Sequence, residues 1–115
     1  MPDKYNVELY QLKAELCKTF ADPKRLMIIN ELRGGEKSVG SLVGVLKIPQ
    51  AVVSRNLAIL RHRGIVRTRR EGVNIYYSLS DVKIAEACDL VHQILLEQVV
   101  KNREIADKLT GGKRV

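Results

Sequence analysis

From about Asn6 to Phe20 apolar residues recur at helical spacing, with Val7, Tyr10, Ala14, Cys17 and Ala21 on one face and Leu9, Leu12, Leu16 and Phe20 on the next. A helix apolar over that much of its circumference is expected to be buried on two sides. Asp22-Pro23 breaks the pattern and restarts it, Asp as an N-cap and Pro at the first helical position. The second helix then carries Leu26, Ile28, Ile29 and Leu32 and stops at Gly34-Gly35. Ser38 is placed to cap a short helix over Ser38–Leu46 with Val39, Leu42, Val43 and Leu46 inside. Pro49 signals a further start, and Gln50–Arg63 follows, apolar at Val53, Leu57 and Leu60 and ended by Gly64. The period then changes. The β-branched run 65–70 and the alternating run 75–79 flank Glu71-Gly72-Val73-Asn74, which predicts a β-hairpin. Asp81 is placed to cap a last helix reaching about Leu109, with Ile84, Cys88, Val91, Leu95, Asn102, Ile105 and Leu109 at near-heptad spacing. So long an apolar face on so small a chain points to a second chain. The fold class expected is mainly α with a β-hairpin, in the order α-α-α-α-β-β-α. Three helices followed by a basic hairpin is the pattern of a winged helix-turn-helix.

At 115 residues this is one domain with one core. No apolar run approaches the roughly 20 residues that span a bilayer. The polar opening Met1–Asn6 lacks a signal-peptide core, and two cysteines far apart suit a reducing compartment. These features predict a cytoplasmic chain with no membrane partner, and Thr110–Val115 is expected to be a flexible tail.

Charge sharpens the picture because it is placed rather than spread. Between Glu36 and Glu71 lie no acids and eight bases: Lys37, Lys47, Arg55, Arg61, Arg63, Arg67, Arg69 and Arg70. Residues 1–36 carry six bases and six acids, and residues 71–115 six bases and seven acids, so the window holds essentially all of the net charge of +7. A one-signed face on a folded module is the footprint of a polyanion partner, whereas a merely solubilising surface mixes signs. In a helix-turn-helix the second helix enters the major groove by its N-terminal residues. With Val53, Leu57 and Leu60 facing the core, Gln50, Ala51, Ser54, Arg55 and Asn56 are expected on the outer, early part of the reading helix. Gln and Asn suit adenine and Arg suits guanine. Arg61 and Arg63 come too late for base edges and suit phosphates. Lys37 precedes the support helix, while Arg67, Arg69, Arg70 and Asn74 arm the hairpin for the backbone or minor groove. Charge on an edge strand that merely blocks aggregation is the plain alternative.

Three segments together resemble the arsenic-repressor (ArsR/SmtB) family of transcriptional regulators: Ala21-Asp22-Pro23-Lys24-Arg25-Leu26, Val53-Ser54-Arg55-Asn56-Leu57 with Leu60-Arg61, and Arg69-Arg70-Glu71-Gly72 through Tyr76-Tyr77-Ser78-Leu79. The resemblance covers residues 8–100. It implies a homodimer through the first and last helices that binds double-stranded operator DNA and releases it on sensing a metal, metalloid or thiol-reactive species. Departures are visible: Pro49 stands where the family has a small polar cap, Ala51 and Val52 where it often has Pro and Thr or Ala, and Asn56 where a His is common. The family's paired thiolates on the support helix correspond to Ser38 and Gly40, and its interfacial zinc ligands to Asp81, Lys83, Ile94 and Glu97. A cation and an alkyl group cannot ligate zinc, so no metal and no cofactor is expected. His92 with Asp89 reads as a surface ion pair.

Cys17 and Cys88 remain as candidates for an effector site, each on the apolar stripe of an expected dimer helix. They read either as a thiol switch or as two small buried hydrophobes. The family's best-known cysteine pair has one member at the position of Asn30, so the match is by type only. The leading expectation is a dimeric, sequence-specific repressor whose inducer the sequence does not name. The alternatives are an architectural or RNA-binding protein, for which aromatic platforms are few, and a dimeric interaction module with weak DNA binding. No nucleophile, base and orienting group converge, so an enzyme is not expected.

Overall fold

The computed structural model describes residues 6–102 and 107–111. The chain divides into two compact units, the first ending at Val82 and the second beginning at Lys83. The first contains α1 (Val7–Thr19), α2 (Pro23–Leu32), β1 (Lys37–Ser38), α3 (Val39–Leu46), α4 (Gln50–His62), β2 (Val66–Glu71) and β3 (Asn74–Leu79); α5 (Val82–Lys101) makes up most of the second.

Asp22 and Ser38 cap their helices as expected, and Asn6 does the same for α1. Asn6 Oδ1 accepts from the Leu9 amide, Asp22 Oδ2 from the Arg25 amide and Ser38 Oγ from the Ser41 amide, each at 3.1 Å. Each satisfies a helix N–H that has no partner within its own helix. Lys47 ends α3 in the left-handed region at φ 57°, and Gly64, at φ 75°, turns the chain from α4 toward β2.

One apolar core holds the first unit together. Ile28, Ile29 and Leu32 of α2, Leu42 of α3, Ile48 of the turn, Val53, Leu57 and Leu60 of α4, and Ile65 and Val66 at the sheet are all buried. Side chains of this kind stabilise by about 1.5–3 kcal/mol each when fully withdrawn from water. All three apolar positions expected to face inward from α4 do so.

The sheet has three strands in the order β1-β3-β2, all antiparallel. The hairpin was expected; the short third strand was not. Lys37 pairs with Tyr77 and Ser38 with Tyr76. Ser38 is therefore at once the end of β1 and the cap of α3.

Two further expectations need correction. In this chain taken alone α1 is not buried on two sides: Val7, Leu9, Tyr10, Leu12 and Leu16 are exposed, and only Thr19 is buried. The last helix is continuous from Val82 to Lys101, with helical backbone again at 107–109. The expected run to Leu109 crosses 103–106, which includes Ile105 and lies outside the described residues. Thr110 and Gly111 form a turn, and the remainder of the expected flexible tail, 112–115, also lies outside the described residues. No residue of α5 is buried within this chain, and Leu90, Val91, Ile94, Leu95, Leu96 and Val100 are exposed.

Candidate nucleic-acid interface

The axes of α3 and α4 turn by 119° across Lys47-Ile48-Pro49. That is the angle and the turn length of a helix-turn-helix. α4 buries Val53, Leu57 and Leu60 completely and leaves Gln50, Ala51, Ser54 and Arg55 exposed on its early, outward side. Its N-cap, Pro49, makes no side-chain hydrogen bond, so the first turn presents backbone donors as well as side chains to whatever docks there.

Asn56 is the correction within this set. It is 5% exposed, its Nδ2 donates to the Val52 carbonyl at 2.9 Å and its Oδ1 accepts from Arg25 Nη1 at 3.3 Å. Positions 53, 56, 57 and 60 form one i, i+3, i+4, i+7 stripe. The amide thus lies on the core face, with its polarity satisfied there, and it does not point at bases. Arg25, absent from the sequence-based set, is its partner.

The late basic residues of α4 are exposed. Arg61 and His62 occupy the last turn, and Arg63 at the cap places Nη1 3.2 Å from Glu15 Oε2 of α1. Both partners of that bridge are exposed, and such pairs are worth ~0–1 kcal/mol, little enough for a phosphate to displace the carboxylate.

The wing holds its arginines in three different ways. Arg67 donates from Nη2 to the Ser80 carbonyl at 2.6 Å, a neutral acceptor, and forms no ion pair among the described residues. Arg70 and Asn74 are exposed near the tip, where Gly72 takes φ 63° and Val73 is 97% exposed. Arg69 is engaged on every side. Its Nε and Nη2 meet the two Glu36 oxygens at 3.0 and 2.6 Å, its Nη1 meets Glu71 Oε2 at 2.6 Å, and its guanidinium carbon sits 4.9 Å from the centre of the Tyr76 ring. Starting on β2, it crosses the central strand β3 to reach the residue before β1, strapping the sheet from edge to edge. The two acids that delimit the acid-free stretch of sequence are the ones that the fold returns to Arg69. Lys37, half-exposed on β1, pairs with Tyr77 of the adjacent strand β3.

This strap has a pH signature and a salt signature. The hydrogen bond from Arg69, aided by its charge, holds the Glu36 carboxyl below its ordinary value of 4.5. A depressed folded-state pKa means that the contribution is present above the unfolded value and is lost as pH falls through the folded one. The Arg69–Glu36 contact is thus present at neutral pH and weakens in acid. Glu36→Gln combined with Glu71→Gln is expected to leave the fold intact, release Arg69 from both carboxylates for phosphate, tighten DNA binding and steepen the plot of log affinity against log salt by about one. Anisotropy titrations at several salt concentrations check this; an unchanged slope would show that Arg69 does not reach the backbone even when released.

The fold and the geometry of this face agree with comparisons to known proteins. Residues 22–68 match the arsR family of bacterial regulatory proteins. The chain is 44% identical to the biofilm growth-associated repressor of Agrobacterium fabrum, over 70% of this chain and 69% of that protein. The chain belongs to the arsR family. It is a DNA-binding transcriptional regulator of the winged helix-turn-helix type. Among solved structures, the crystal structure of Rv0081 from Mycobacterium tuberculosis superposes with a TM-score of 0.73 at 35% identity, covering 83% of this chain and 95% of that one. A solution structure from Mycobacterium bovis, described as a homodimeric winged helix-turn-helix DNA-binding domain, gives 0.74 at 28% identity, covering 84% and 90%.

Cys17 is exposed on α1, and Cys88 is half-buried on α5. Both lie on helices whose apolar residues are exposed in the single chain. No single described helix is long and apolar enough to cross a bilayer.

Proposed function

We propose that this arsR-family regulator is a cytoplasmic homodimeric repressor, joined through α1 and α5, that reads double-stranded operator DNA with Gln50, Ala51, Ser54 and Arg55 of α4. Arg61, Arg63, Arg67 and Arg70 take phosphates, with Asn74 at the wing tip and Lys37 at the sheet edge. The observation that carries this is the two-sidedness of α4: a completely buried apolar stripe fixes the helix, and its opposite, N-terminal side offers base-reading groups to solvent. The exposed apolar residues of α1 and of α5 support the dimer, because apolar surface of that extent is rarely left in water. The homodimeric Mycobacterium bovis relative and the repressor from Agrobacterium fabrum point the same way. Cys17 on α1 and Cys88 on α5, the two helices of the proposed dimer, are the residues assigned to a release step by thiol chemistry.

Selection of duplexes from a random pool, combined with sedimentation of the bound species, tests this. The expected site is a two-fold repeat with half-site centres about one helical turn apart, occupied by two chains. A monomer, or a pool that shows no enrichment, overturns the proposal. Repeating the binding measurement after diamide oxidation tests the release step: affinity should fall in the wild type and hold in Cys17→Ser and Cys88→Ser. Equal affinity throughout would remove the thiol step and leave the repressor reading in place.

A further inference from the structure

The guanidinium of Arg25 joins two helices that otherwise serve different tasks. Its Nε donates to the Thr19 carbonyl at 2.7 Å and its Nη2 to the Lys18 carbonyl at 3.3 Å, both at the C-terminal end of α1. The Lys18 carbonyl also accepts from the Ala21 amide at 3.0 Å, and the negative end of the helix dipole favours a cation beside both carbonyls. The third nitrogen, Nη1, donates to Asn56 Oδ1 on the buried back of α4. The backbone of Arg25 is itself fixed, since its amide is the one capped by Asp22. Every guanidinium nitrogen thus has a protein acceptor, and two helices meet at one rigid fork. Asn56 follows Ser54 and Arg55 on the same helix, so a rotation of α4 that breaks this bond turns the reading side with it.

We propose that Arg25 is a positioning residue for DNA reading. It ties the end of α1 to the back of the reading helix through Asn56, so that whatever α1 packs against is felt at the base-contacting face. This rests on α4 reading bases, as proposed above.

The plainer role for this partly buried pair is to keep Asn56 satisfied, and the test separates that role from positioning. The variants are Arg25→Met, Arg25→Lys, Asn56→Leu and the double variant Arg25→Met/Asn56→Leu. The readouts are the thermal midpoint and the ratio of affinities for the duplex selected by the wild type and for a scrambled duplex. Asn56→Leu and the double variant leave no orphaned amide at position 56, so both should melt near the wild type. Both should nonetheless lose selectivity, on the order of tenfold, with scrambled-duplex affinity unchanged. Their losses should be equal rather than additive, because each breaks the same link. Arg25→Lys should fail to rescue selectivity, since a single ammonium cannot bridge three acceptors. A double variant with wild-type selectivity, or full rescue by lysine, overturns the positioning role. A wild type that selects no duplex removes the base-reading proposal itself, a result distinct from either.

Discussion

Replacing Leu57 by alanine is expected to destabilise the first unit by about 2–5 kcal/mol. Leu57 is completely buried in the middle of α4, among the α2, α3 and sheet residues that close over this helix. The substitution removes apolar contacts and leaves a cavity that rigid neighbours on three sides cannot collapse into. Domains of this size are stable by only about 5–15 kcal/mol, so the loss is a large share of the whole. Circular dichroism should show the thermal midpoint falling by roughly 10 °C or more, whereas Leu57→Met, which conserves volume, should cost less than about 1.5 kcal/mol. A loss under 1 kcal/mol for alanine would mean that α4 is held mainly from elsewhere.

Arg55→Ala is expected to act on the other side of the same helix and in the opposite manner. Stability should be unaffected, because Arg55 is exposed. Binding to the selected duplex should weaken by about 1–3 kcal/mol, roughly 5- to 150-fold, the range for one bidentate base contact. Non-specific DNA should be held almost as before. Competition titrations with selected and scrambled duplexes decide the matter: equal losses on both would reassign Arg55 to the phosphate backbone. Arg69 offers a useful contrast within the same protein. It has the same side chain and lies in the same basic stretch, yet two carboxylates already occupy it.

Those two arginines show what the sequence could and could not reveal. Elements governed by local chemistry were legible: Asp22 and Ser38 announce helix starts, Gly64 an end and Gly72 a turn, and each is used that way. The inward face of α4 was legible as well, because Val53, Leu57 and Leu60 repeat at the helical period. Asn56 was misread because it was judged by residue type, whereas its position on the stripe decides its burial. β1 was missed because two residues carry no periodicity; its pairing depends on β3, some forty residues downstream. The acid-free window was real as sequence but incomplete as electrostatics. Glu36 and Glu71 lie outside it along the chain and beside Arg69 in space. The burial expected for α1 followed from its composition, which records that a surface is to be covered without recording by which chain.

Ser38 ends the strand that pairs with the wing and caps the helix that supports the reader, with no residue between the two roles. There is consequently no joint between α3 and the hairpin at this edge of the sheet. A chimera that borrows another regulator's hairpin or its α3 should exchange 37–79 as a single cassette.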